Sequence, residues 1–180
     1  MTTRRQTKAL LKRRTPDLPA DLEDLDSLDA ERLAAGGGTA EARVEGGDLS
    51  GRRIYGLQAK DSVWEGVSFA NCDIPAAVLR DVRLIRCDLS NARVRGFQAT
   101  RVEFIECRLT GMVATECVWQ DVLVKQCEAG YAQWNDAQLH SCEFQETGMA
   151  EADLRGTSLA GTTFAQADLA RADLRGCALK

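Results

Sequence analysis

The sequence predicts an all-β solenoid, and three features of residues 46–180 lead to that prediction. First, an apolar residue recurs at every fifth position for 27 consecutive positions, from Leu49 to Leu179. Second, the residue two positions before each of them is mostly small. Third, eight glycines stand two positions after them. A helix repeats its apolar residues about every 3.6 positions and a strand about every two, so neither element gives a sustained period of five.

The fifth-position residues form the predicted core of the solenoid. Each of them points inward together with the small residue two positions earlier, as one step of strand, and the residue between the two points outward. The remaining two residues turn a corner, where glycine supplies backbone angles that most residues avoid. All seven cysteines occupy the small inward position: Cys72, Cys87, Cys107, Cys117, Cys127, Cys142 and Cys177.

These residues resemble the pentapeptide-repeat family, whose pattern is A-(D/N)-L-x-x. The pattern stands in this chain at Ala152–Leu154, Ala167–Leu169 and Ala172–Leu174, and in related form at Cys72–Ile74 and Cys87–Leu89. The resemblance implies a right-handed quadrilateral parallel β-helix (solenoid), in which four pentapeptides make one coil. Residues 46–180 would then form about 6–7 coils and a rod about 32 Å long, at about 4.8 Å between stacked strands.

Residues 1–45 precede the repeat and are predicted to form a separate N-terminal segment. Residues 1–14 carry six basic residues and no acidic one. Two hypotheses remain open for them: a basic arm that binds nucleic acid or an acidic partner, and a disordered terminus. The pair Arg4-Arg5 is not followed by the long apolar stretch of an export signal. We therefore expect a cytoplasmic protein.

Residues 17–31 reverse the charge, with seven acidic residues and interleaved leucines. Asp21 is a candidate N-cap, and Gly36–Gly38 is typical of a helix end. We therefore predict a short amphipathic helix over residues 21–35, which would cover the open first coil of the rod. The alternative is an acidic disordered linker.

The sequence contains no recognisable catalytic or metal-binding motif. It has no C-x-x-C pair, no nucleophile beside a base and no phosphate-binding glycine loop, and His140, the single histidine, stands at an outward position. Cys87, Cys107 and Cys127 occupy equivalent positions of successive coils and are expected to stack within disulfide distance. The odd total of cysteines and their buried position favour reduced thiols. We predict a non-enzymatic protein without cofactor or metal, and without a transmembrane helix.

The first functional hypothesis is a protein-interaction module. Several outward positions hold apolar residues although the repeat accepts any type there, and a contiguous apolar patch on a soluble rod usually marks an interface. The predicted partner-binding residues are Val78, Ile85, Ile105, Val118 and Leu123. The alternative for these residues is that leucines of the N-terminal segment fold back over them. The partner is unidentified.

The resemblance implies the second hypothesis. The best-known family members look like B-DNA and protect or inhibit type II topoisomerases, so DNA gyrase is a candidate partner. DNA of the same length carries about 19 negative charges, whereas residues 46–180 contain 18 acidic and 15 basic residues, a net charge of −3. Charge therefore favours the interaction module over DNA mimicry, and we expect no direct binding of nucleic acid by the rod.

The C-terminal end of the rod leads to one more prediction. No residue after Leu179 is expected to cap the last coil, which leaves apolar side chains and an unpaired strand edge. Two such ends would satisfy each other in a symmetric arrangement. We therefore predict a homodimer through the C-terminal coil, with Leu174 and Leu179 at the junction.

Overall fold

The computed structural model of this protein describes residues 12–25, 32–33 and 37–179. Within these residues there are eleven β-strands, and only residues 32–33 are helical. The strands are β1 (Glu23–Leu25), β2 (Gly38–Ala40), β3 (Ala42–Glu45), β4 (Gln58–Glu65), β5 (Val78–Ile85), β6 (Gln98–Ile105), β7 (Val118–Gln120), β8 (Leu123–Lys125), β9 (Gln138–His140), β10 (Glu143–Gln145) and β11 (Thr163–Ala165).

The strands stack in parallel, and from β2 onward each strand residue pairs with the residue four pentapeptides further along the chain; β1 pairs with β3 at a spacing of 19 residues. Trp64 pairs with Leu84, and Leu84 pairs with Phe104. Where strands are interrupted, isolated parallel bridges continue the stack, and one column of bridges joins Asp48, Ser68, Asp88, Arg108, Glu128, Gly148 and Asp168 in seven successive layers. The prediction of an all-β parallel solenoid with four pentapeptides per coil is confirmed.

A left-handed residue turns each corner of the coil. From Glu41 to Gly176 every fifth residue has a positive φ, which makes 28 corner positions, of which nine are glycine. Four such corners in each coil give the quadrilateral cross-section. A residue other than glycine costs roughly 1–2 kcal/mol in this conformation, so the stacking of the coils must offset that cost at 19 positions.

The core is a continuous column of side chains along the axis of the rod. The fifth-position residues from Leu49 to Leu159 are buried, and aromatic rings link successive coils in its middle. The ring of Phe104 stacks on Trp119 with a centroid distance of 5.5 Å, and Trp119 meets Trp134 edge-on at 6.0 Å. Such close packing accounts for the strict five-residue period.

The small inward position has a role that the sequence pattern did not reveal. Polar side chains there donate hydrogen bonds to backbone carbonyls: Ser62 Oγ to Lys60 O at 2.6 Å, and Thr157 Oγ1 to Trp134 O at 2.5 Å. Six of the seven cysteine thiols, all except that of Cys117, likewise donate to backbone carbonyls, and all seven cysteines are free. Burial raises the pKa of Cys142 to about 12, so this thiol stays protonated and unreactive at neutral pH.

The rod begins before residue 46, so the predicted boundary was placed too late. Strands β2 and β3 both pair with β4, and Ala42 and Val44 are buried. Thr39 occupies the inward position of β2, and as a polar residue it interrupts the apolar pattern that was used to locate the start of the repeat.

The helix predicted for residues 21–35 is wrong for residues 21–25, whereas residues 32–33 are helical. Residues 23–25 form β1, which pairs in parallel with β3, and Leu33 is buried in the core. The physical reason is the edge of the first coil, whose N–H and C=O groups are better satisfied by another strand than by a helix laid across them. Residues 26–31 and 34–36, the rest of the predicted helix, lie outside the described residues.

Candidate functional site: the outward faces of the rod

One face of the rod presents an exposed and almost uncharged surface, which we call the Val78–Val118 face. It consists of two outward columns on β5, β6, β7 and β9: Val78, Gln98, Val118 and Gln138 in one, and Arg80, Thr100, Gln120 and His140 in the other. Val78 is 37% exposed and Val118 41% exposed. Arg80 is the one Lys, Arg, Asp or Glu among these eight residues, and Lys60 precedes it in the same column on β4.

The two predicted isoleucines lie on the neighbouring face. Ile85 pairs directly with Ile105 in the ladder between β5 and β6, and both side chains are half-buried. Glu65 precedes them and Lys125 follows them in the same column. The two isoleucines therefore form a small apolar patch between charged residues, and this patch is separate from the Val78–Val118 face.

Leu123, the fifth predicted contact residue, is only 7% exposed and does not belong to the free surface. It stands between Glu103 and Glu143 in its column. The guanidinium of Arg13 reaches both of these carboxylates, with N–O distances of 3.2 Å and 3.6 Å. The expectation that Leu123 is exposed was wrong, because the side chain of Arg13 passes over it.

Residues 12–19, which we call the strap, lie along the corner of the rod between these two faces. Arg14 donates from its backbone N–H and from Nε to the carboxylate of Asp121, at 3.1 Å and 2.9 Å. Three residues later the backbone N–H of Asp17 donates to Asp81 Oδ1 at 3.0 Å. The N-terminal segment thus folds back on the rod, as one sequence hypothesis had it, but arginines rather than leucines carry the contacts.

The strap and the rod together bury three outward carboxylates, on Asp81, Glu103 and Asp121. Arg101 binds Asp81 through two hydrogen bonds of 2.5 Å, and Arg83 binds Glu103 at 2.8 Å. Burial works to raise the pKa of Asp81, but the hydrogen bonds from Arg101 and from the Asp17 N–H outweigh it and hold the pKa below its ordinary value. Asp81 is therefore ionised at neutral pH.

The last described coil is open on its outer side. Leu174 is 41% exposed and Leu179 is 78% exposed, while Phe164 and Leu169 are only partly buried. In earlier coils the N–H of the central residue donates to the next coil, as Leu154 N does to Asp173 O at 2.9 Å. The equivalent N–H groups of Leu169 and Leu174 have no acceptor within residues 37–179.

The described residues contain no group of three or more His, Cys, Asp or Glu side chains that could hold a metal ion. No helix in the described part of the chain is long and apolar enough to cross a membrane.

The contact between the strap and the rod was not predicted from the sequence. Lys12, Arg13 and Arg14 were recognised as a basic cluster for which an acidic partner was one hypothesis. The structure places such a partner within the same chain, since Asp121 and Glu103 bind these arginines. The signal that could have found them is Asp81 and Asp121, acidic residues at equivalent corner positions two coils apart.

Two protein-family profiles match the chain, and both describe pentapeptide repeats. Residues 77–154 match the profile described as "Pentapeptide repeat region", and residues 149–180 match "Pentapeptide repeats (8 copies)". No curated protein matches the chain.

Solved structures also resemble this fold. A trypsin-treated variant of QnrB1, a plasmid-mediated fluoroquinolone resistance protein, is 20% identical over 88% of this chain and 90% of that chain, with a TM-score of 0.42. HetL, a pentapeptide repeat protein involved in heterocyst differentiation regulation in Nostoc sp. strain PCC 7120, is 15% identical over 86% and 94%, with a TM-score of 0.30. Rfr23 from the cyanobacterium Cyanothece 51142 is 17% identical over 86% and 93%, with a TM-score of 0.33. Likeness at this level says nothing of a shared partner.

Proposed function

The chain belongs to the pentapeptide-repeat family, and from that premise we propose that it is a non-enzymatic protein-interaction module. We further propose that it binds its partner through the Val78–Val118 face. Ile85 and Ile105, on the neighbouring face, are candidates for the rim of the interface. Leu123 is not included, because the strap covers it.

The lack of charge on this face is the observation that carries the proposal. Charged residues make up 28% of the whole chain, yet the eight outward positions of the Val78–Val118 face include one, Arg80. The core of a protein–protein interface is depleted of charged residues and holds apolar side chains at its centre. A stacked β-sheet also keeps these side chains at fixed spacing, so that a partner meets a preorganised surface.

Affinity capture with surface variants of the full chain tests the proposed face. We expect Val78→Glu/Val118→Glu to lose a specific partner that the wild type retains, because two carboxylates would have to be desolvated at the centre of the contact. The matched control is Gln133→Glu/Gln166→Glu, which adds the same charge at exposed positions elsewhere on the rod and should retain the partner.

A third variant, Ile85→Glu/Ile105→Glu, distinguishes the two faces. A partner lost only by this variant would assign the interface to the isoleucines and contradict the proposal. Recovery of DNA gyrase subunits, together with inhibition of gyrase supercoiling by the purified wild type, would support the alternative of a DNA-mimicking topoisomerase modulator. We expect neither result, because the net charge of −3 on residues 46–180 is far below the roughly 19 negative charges of an equal length of DNA.

We also propose that two copies of the chain pack end to end through the last coil. Leu174 and Leu179 expose apolar side chains there, next to unpaired backbone N–H groups. A second copy related by two-fold symmetry would cover both. The seven free cysteines suit a reducing compartment, which supports the proposal of a cytoplasmic location.

The end-to-end dimer leads to a specific expectation for Leu174→Lys/Leu179→Lys. The added charges would have to be buried at the junction, so we expect this variant to be a monomer of 19.7 kDa and the wild type to have twice that mass by small-angle scattering. The circular dichroism of the variant should stay that of a folded β-protein, because the substituted side chains are exposed. A monomeric wild type across a concentration series would refute the dimer.

A further inference from the structure

The buried carboxylates under the strap have the features of a peptide-binding groove. An outward carboxylate on a β-helix is normally solvated, and burying one is costly unless it is paired and hydrogen-bonded. Asp81, Glu103 and Asp121 are nevertheless the buried acidic residues of the described chain. Residues 12–19 lie across them and, together with arginines of the rod, bury them, so the rod here accommodates a peptide segment.

The three carboxylates are not equivalent with respect to the strap. Asp81 has Arg101 and Glu103 has Arg83, so both keep a rod arginine whether or not a peptide is present. The arginine that pairs with Asp121 comes from the strap, through Arg14. Asp121 is therefore the acidic group whose ion pair comes from the strap, while Arg101 of the rod supplies only a longer-range electrostatic attraction.

The spacing of the coils matches the spacing of an extended peptide. Asp81 and Asp121 are two coils apart, about 9.6 Å at about 4.8 Å per coil. They accept the backbone N–H groups of Arg14 and Asp17, and three residues of extended chain span about 10 Å at about 3.3 Å each. Pro16 lies between the two donors, where its missing N–H leaves nothing unsatisfied and its fixed φ favours the extended form.

Two observations indicate that the strap is a replaceable occupant of this groove. The side chain of Arg13 is only 9% exposed, yet its Nε lies 3.6 Å from the Glu143 carboxylate and makes no hydrogen bond, and a buried donor without a hydrogen bond lowers the stability of the contact. A cleft of about 480 Å³ also remains between the strap and the rod, lined among others by Asp17, Arg80 and Arg101. The strap is therefore not closely packed against the rod at this cleft.

We propose that this groove is a recognition site for an extended peptide with two adjacent arginines, and that residues 12–19 occupy it in the free protein. A partner protein with an exposed Arg-Arg segment displaces the strap. The recognition elements are Asp121 and Glu103 for the two guanidinium groups, and Asp81 and Asp121 for the backbone N–H groups three residues apart. This site is distinct from the Val78–Val118 face and does not rest on it.

Peptide binding in trans to the full chain tests the proposal. The probe is a labelled peptide of residues 12–20, Lys-Arg-Arg-Thr-Pro-Asp-Leu-Pro-Ala, and the proteins are the wild type and Arg13→Ala/Arg14→Ala. In the wild type the tethered strap competes at an effective concentration in the millimolar range. The double variant weakens that competitor, so we expect it to bind the probe at least about tenfold more tightly than the wild type.

Two controls separate recognition from general charge attraction. A scrambled peptide of the same composition should bind both proteins weakly, because the two N–H donors and the arginines no longer match the coil spacing. Adding Asp121→Asn to the double variant should abolish the tenfold gain, while circular dichroism shows that the rod remains folded. Equal affinity of the two proteins for the probe, equal binding of the scrambled peptide, or an unchanged affinity after Asp121→Asn would each overturn the proposal.

Discussion

Replacement of Trp119 by alanine should lower the free energy of unfolding by about 3–5 kcal/mol, because it removes a large buried side chain from the axis of the rod. Trp119 is fully buried and touches the rings of Phe97, Phe104 and Trp134. Its indole Nε1 has no hydrogen-bond partner, so the substitution measures lost packing and no lost hydrogen bond. Urea unfolding followed by far-ultraviolet circular dichroism gives the value without relying on tryptophan fluorescence.

The neighbouring residue supplies the control for this prediction. Gln120 points outward from the same strand and is exposed, so Gln120→Ala should change the free energy of unfolding by no more than about 0.5 kcal/mol. Equal losses for Trp119→Ala and Gln120→Ala would contradict the alternation of inward and outward residues on which the fold description depends.

A carboxylate at the small inward position should prevent the rod from folding. Val102 is fully buried and stands in one column with Ser62 and Val82. In Val102→Asp the new group would have to be buried without a charge partner, at a cost of more than about 4 kcal/mol. We expect insoluble protein, or a soluble fraction that unfolds at much lower urea concentration than the wild type.

Val102→Thr is the matched control, because it adds a polar group of nearly the same size. Ser62 donates its hydroxyl to Lys60 O, and a threonine at position 102 can donate in the same way to the carbonyl of Thr100. With that hydrogen bond made, the loss should be about 1 kcal/mol or less. A soluble Val102→Asp variant with a stability close to that of Val102→Thr would show that this column is open to water.

The repetitive part of the fold could be predicted from the sequence because each coil repeats one local rule. A central apolar residue, a small inward residue and a corner recur every five positions, and the paired register of Trp64, Leu84 and Phe104 follows from that period. Glycine marks only some of the corners. Residues such as Arg86, Glu106 and Tyr131 take the same left-handed conformation, although their side chains do not favour it.

The N-terminal segment could not be predicted in the same way, because its conformation is decided by distant residues. Glu23–Leu25 has features of a helix start, but it meets the open edge of β3 and pairs with it as a strand. The contact of Arg14 with Asp121 joins residues 107 positions apart in sequence. Local propensity and spacing carry no information about such a contact.

The candidate site, like the fold, could be predicted from the sequence only in part. The sequence identified Val78 and Val118 as outward apolar residues, and both are exposed. It grouped them with Leu123, which is outward in the repeat but covered by Arg13. The role proposed for the Val78–Val118 face depends on the absence of charge across two columns, a property that appears only when the residues of successive coils are placed side by side.

Site-specific photo-crosslinking tests most directly the claim that the chain acts as an interaction module through this face. A photoreactive amino acid at position 98, between Val78 and Val118, should yield one specific protein adduct in cells. The same probe at position 133, which is exposed on another face, should yield none. Introducing Val78→Glu/Val118→Glu should abolish the adduct at position 98. An adduct at position 133 with none at position 98, or one at position 98 that survives the double substitution, would contradict the account.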